Sequence, residues 1–88
     1  MKLKGTFILR EIMGEVIAIP VGDALLGFNG MLCLNEVGEE IFKGLQANNS
    51  REEILERILE EFDVSREEAI RDLDDFFNHL KEGNLLED

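Results

Sequence analysis

The chain has 88 residues, 44% hydrophobic and 33% charged, with 20 acidic against 9 basic side chains and a formal net charge of -11. That length supports one hydrophobic core, so residues 1–88 read as a single domain whose stability has little to spare against the entropy of ordering the chain. The charge repels a phosphate backbone or an anionic lipid surface, so no nucleic acid and no membrane are expected as partners.

From the N-terminus, MKLKGTFILR has a basic start, but its apolar run is only Phe7-Ile8-Leu9. That is too short for a secretion signal, and nothing later approaches the ~18 apolar residues of a membrane span, so a reduced, cytoplasmic protein is expected. Residues 6–12 (TFILREI) and 16–21 (VIAIPV) are rich in β-branched side chains and read as two strands around Met13-Gly14-Glu15, where Gly14 can take a positive φ in a tight hairpin. Pro20 lacks an amide hydrogen and belongs near a strand end or turned from a neighbour. Beyond Gly22-Asp23, Asn29-Gly30 fits a two-residue turn and equally a bulge in one bent strand; both stay open. Met31-Leu32-Cys33-Leu34 is a third strand whose period of two places Leu32 and Leu34 on one face, Met31 and Cys33 on the other. Helices on one side of a sheet need only one apolar face, so the second needs its own explanation. Cys33 is the only cysteine, which rules out an intrachain disulfide and the usual zinc spacings; in an apolar strand its default is a buried, inert thiol.

From Asn35 the period becomes helical. Asn35 is a candidate N-cap, with Glu36, Glu39 and Glu40 near the positive end of the dipole and Val37, Ile41, Phe42 and Leu45 on one stripe; Gln46 to Asn49 end it. Ser50-Arg51-Glu52-Glu53 has the form of a capping box before a second helix with Ile54, Leu55, Ile58, Leu59 and Phe62 on its apolar face. Ser65-Arg66-Glu67-Glu68 repeats that form and opens a third helix running to about Lys81, with Gly83 as its C′ residue and Leu85 and Leu86 folding back. Strands first, then three short helices on short links, indicate an α+β arrangement, a three-helix domain bearing a hairpin. Residues 1–44 hold four basic and six acidic groups and residues 45–88 five and fourteen, so the helical half carries most of the charge.

At 100° per residue the third helix puts Ala69, Leu73, Phe76 and Leu80 on one face, widened by Ile70 and Phe77. That face is broader than one small core fills. Either the other elements cover both sides, or Ile70, Phe77 and the second face of residues 31–34 line a shallow groove. A sheet edge beside such a groove offers unpaired backbone groups to an extended peptide, with carboxylates at the rim favouring basic residues. No nucleophile is placed to use His79 and Asp75, and the acidic run Asp72, Asp74, Asp75 reads as a solvated face. Metalloprotease, calcium-loop and phosphate-loop patterns are missing. No catalytic residue, metal ligand or cofactor is therefore assigned, and a DNA-reading helix would need more basic and amide side chains than this one has.

Leu34-Asn35-Glu36-Val37-Gly38 with Ile41, Phe42 and Leu45, the S-x-E-E-I-L run from Ser50 to Leu55, residues 72–80, and Gly83-Asn84-Leu85-Leu86 resemble, in order and spacing, the PqqD-like family. These are small domains that recognise precursor peptides of ribosomally made, modified natural products. The resemblance implies a winged-helix-like fold, a three-stranded N-terminal sheet followed by three helices. It also implies a non-catalytic adaptor whose third strand receives the leader of a precursor peptide, against the third helix. Carried onto this chain, the peptide-binding positions are Met31, Leu32, Cys33 and Leu34 on the strand and Ile70, Leu73, Asp74 and Phe77 on the helix, while Asn35 and Gly38 are structural. It further implies presentation of the precursor to a radical S-adenosylmethionine or other peptide-modifying enzyme, which would own any cofactor. The same strand edge could instead pair with a second copy, so both monomer and homodimer remain open.

Overall fold

The alternating N-terminal segments fold into antiparallel strands and the 3.6-period segments into helices. In a computed structural model, which describes residues 2–22 and 32–87, the order is β1 (Lys2–Leu3), β2 (Thr6–Ile12), β3 (Glu15–Val21), β4 (Leu32–Leu34), α1 (Glu36–Gln46), α2 (Arg51–Glu61), α3 (Arg66–Glu82) and β5 (Leu86–Glu87). β2, β3 and β4 form an antiparallel sheet in that order, and β1 pairs with β5. The result is an α+β, winged-helix-like fold. Asn29-Gly30 and Met31 lie outside the described residues.

The β2–β3 hairpin closes through Met13-Gly14, with φ of 53° and 84°, and Ile12 pairs with Glu15. Two positive φ values in a two-residue loop give the turn whose twist matches the strands. A Cβ on Gly14 would meet nothing within 4 Å, so it is the backbone angle that favours glycine there. Pro20 pairs with Phe7 of β2, whereas β4 reaches only Val16 to Ala18 of β3. Proline therefore sits near the strand end, past the reach of β4.

Phe7, Ala18, Leu32 and Leu34 on the inner face of the sheet meet Ile41, Phe42 and Leu45 of α1, Ile54, Leu55 and Ile58 of α2, and Leu73, Phe77 and Leu80 of α3. The rings of Phe7 and Phe42 meet edge to face at 5.4 Å, which fixes the sheet on α1. Leu85 and Leu86 fold back and are buried, as their position after the third helix predicts.

All three helix starts carry their expected caps. The Asn35 carboxamide oxygen accepts from the Gly38 amide at 2.7 Å, and Ser50 and Glu53 form a reciprocal box. The third start differs in detail: Ser65 Oγ accepts from the Glu68 amide at 3.1 Å, but the Glu68 carboxylate returns to the Ser65 hydroxyl at 3.3 Å. The end of α3 also departs from expectation. Gly83 is the last half-helical residue with φ -82°, and Asn84, φ 59°, takes the left-handed C′ position. Asn84 N–H then bonds the Lys81 carbonyl at 3.0 Å and Leu85 N–H the Leu80 carbonyl at 2.8 Å, a complete Schellman ending. The Asn84 side-chain oxygen accepts from Lys4 Nζ at 2.7 Å, beside the β1–β5 pair.

Candidate functional site

β4 pairs through one edge with β3, and among the described residues its other edge has no strand partner. Leu32 and Leu34 are buried against the helices while Cys33 faces outward, as the period of two requires. The thiol is therefore exposed, which corrects the buried, inert default. Cys33 stands on the face of the sheet opposite Leu32 and Leu34, which pack with the helices in the core.

The phase of α3 differs from expectation by one aromatic. Ala69, Leu73, Phe77 and Leu80 are its buried residues, and Phe76 is half-buried at the margin. Leu73 is 0% and Phe77 3% exposed, so both belong to the core, and Ile70 is 36% exposed. The guanidinium of Arg51 lies 5.5 Å from the centroid of the Phe77 ring and pairs with Asp74. This α2 side chain thus covers Phe77 from outside and occupies the Asp74 carboxylate. Ile70 lines a cleft of about 670 Å³ with Arg51, Leu55, Arg57 and Arg66, on the α2 side of the helix. Four candidate positions on α3 are therefore core or turned toward α2. Leu32, Cys33 and Leu34 stand together on the strand.

What borders the end of β4 is another stripe of α3. A cleft of about 280 Å³ is lined by Asn35, the residue after β4, by Val37, Gly38 and Ile41 of α1, and by Asp72, Asp75 and Phe76 of α3. Asp72, Asp75 and Phe76 share one helical face at i, i+3 and i+4. That spacing was available in the sequence, but the two carboxylates read there as a solvated run. Gly38 makes the cleft possible, because a Cβ on it would stand 3.1 Å from Phe76 Cε2 and 3.1 Å from Asn35 Oδ1. Neither Asp72 nor Asp75 has an ion-pair partner among the described residues, in contrast to Asp74.

Chemically, the arrangement is a backbone edge without a strand partner among the described residues, running into a small trough with an apolar floor and an acidic rim. Among the described residues no group of three or more His, Cys, Asp or Glu side chains is placed to hold a metal ion, and no helix is long and apolar enough to cross a membrane.

The description "Coenzyme PQQ synthesis protein D (PqqD)" matches residues 16–86 of this chain. Among solved structures, the chain is similar to one described as TbiB1 in complex with the TbiA(beta) leader peptide. The TM-score is 0.76 and the identity 30%, over 99% of this chain and 95% of that one. Among curated proteins nothing matches.

Proposed function

The chain belongs to the PqqD family, and from that premise we propose that it is a non-catalytic adaptor that binds the leader of a ribosomally made precursor peptide by strand addition and presents it to a modifying enzyme. The observation that carries this reading is the edge of β4 that has no strand partner among the described residues, beside the cleft between α1 and α3. Backbone N–H and C=O groups along such an edge are satisfied by water in the free protein and by a strand in the complex, and alternate peptide side chains then face the helices. Leu32 and Leu34 flank the added strand within the sheet, and Val37 and Phe76 line the cleft on its helix side. Leu73 and Phe77 act from below, by holding α3 in place.

A similar solved chain was captured with a leader peptide, which supports a peptide as the occupant. Residues 1–88 are read as one recognition domain. Its contribution is concentration: holding the leader keeps the modifiable part of the precursor near an enzyme, for which a radical S-adenosylmethionine protein is one candidate class. The chemistry and any cofactor belong to that enzyme.

Titrating the isotope-labelled chain with peptides encoded beside its gene tests the reading. Binding with Kd on the order of micromolar, roughly -8 kcal/mol, and amide shifts centred on Leu32 to Gly38 are expected. Shifts confined to α2 reject the site.

A further inference from the structure

We infer that Asp72 and Asp75 select the client: the bound peptide carries a Lys or Arg side chain over these two carboxylates, next to an apolar side chain seated on Val37 and Phe76. The inference rests on the strand-addition reading and adds the chemistry of what that strand must carry.

Four observations lead to it. Both carboxylates line the same cleft as the apolar side chains, and the residues that line it include no basic group. Neither is paired among the described residues, while Asp74, one residue from Asp75, is already held by Arg51. The one feature that would favour an anion there is the N-terminus of α1, and the Asn35 side chain already accepts from its Gly38 amide. Glu36 in that first turn adds further negative charge, and so does the net charge of -11 on the whole chain. An acidic leader segment would therefore meet repulsion in the cleft, and a neutral one would leave two carboxylates facing its apolar side chain. A basic side chain beside an apolar one satisfies both halves of the trough. Its ammonium or guanidinium stays at the rim, and its alkyl stem covers apolar floor.

The test uses the full chain as bait against a displayed library of random 12-residue peptides, followed by titration of the most enriched peptide. Enriched sequences are expected to share an apolar residue with Lys or Arg within two positions of it. Changing that Lys or Arg to Gln should weaken binding about 3- to 5-fold at low salt, and Asp72→Asn with Asp75→Asn should weaken the parent peptide by a similar factor. The Gln peptide should not distinguish the doubly substituted protein from the original, because the two changes remove one interaction. Both positions are exposed, and an unchanged circular dichroism spectrum verifies that the variant is folded. Enriched peptides that shift the amides of Leu32 to Leu34 but carry no basic residue overturn the inference and leave strand addition standing. Independent, additive losses overturn it as well. Enriched peptides that leave those amides unmoved overturn the underlying reading and this inference with it.

Discussion

Gly44 stands where α1 comes nearest to α2: a Cβ at this position would lie 2.6 Å from Ile54 Cγ1. Alanine would gain up to about 1 kcal/mol in helix propensity, but the overlap with a buried side chain costs about 1–3 kcal/mol, so Gly44→Ala is expected to destabilise the chain. A lower urea midpoint with an unchanged slope is the signature; a raised midpoint would mean that the helices separate without cost. The neighbouring aromatics of α3 provide a second contrast at this scale. Phe77 is 3% exposed, and Phe77→Ala is expected to cost about 3–5 kcal/mol of stability. Phe76 lines the cleft, and Phe76→Ala should weaken peptide binding with a smaller loss of stability. Denaturation and peptide titration of both variants check this; equal effects on folding and binding in each would deny Phe76 a separate role. Periodicity placed Phe76 on the central face and Phe77 on its flank, and the structure reverses the two. A 100° difference between adjacent residues is resolved only by where α1 and α2 sit, and by Arg51, whose cover over Phe77 lies 26 residues away in sequence. The exposed Cys33 has the same origin: alternation separated it from Leu32 and Leu34, but whether its face is covered depends on the number of layers.

Elements begin where local chemistry says they should. Asn35, Ser50 and Ser65 cap α1, α2 and α3 because a short polar side chain next to an apolar-periodic run can satisfy the first free amides without help from the rest of the fold. The β1–β5 pair could not be read in the same way. Its strands have two residues each, and they meet only because the Schellman ending of α3 sends Leu85 back to accept from the Lys4 amide at 2.7 Å. One cap has a pH signature. The Glu53 carboxyl is held below its ordinary value of 4.5, first by the Ser50 backbone amide and then by the Ser50 side chain. A depressed folded-state value means stabilisation that is fully present above the ordinary carboxylate range and is lost as the pH falls through the folded value. Ser50→Ala should therefore lower the melting temperature more at pH 7 than at pH 3; a larger loss at the lower pH would contradict the box. At the site, the strand and the helix were both legible, but the stripe of α3 that borders β4 was not, because Asp72 and Asp75 resemble any solvated run until Gly38 brings α1 close to Phe76.

At the scale of the molecule the net charge of -11 opposes both compaction and self-association. Raising the salt from about 0.01 M to about 1 M shortens the screening length from roughly 30 Å to roughly 3 Å, and each 1 kcal/mol relieved is worth about 4–8 °C for a domain of this size. The melting temperature is expected to rise with sodium chloride; a fall would show that the ion pairs Lys43–Glu39, Arg51–Asp74, Arg57–Glu40 and Arg66–Glu56 outweigh the repulsion. The same charge favours a partner peptide over a second copy at β4. The central claim is that an extended backbone adds to Leu32–Leu34, and contacts between backbones test it most directly. With unlabelled peptide bound to the isotope-labelled chain, cross-strand nuclear Overhauser effects are predicted between the peptide main chain and the amide and α protons of Leu32, Cys33 and Leu34, in a continuous register. A saturated complex whose peptide main chain shows such contacts only to helices, and none to these three residues, would contradict the account.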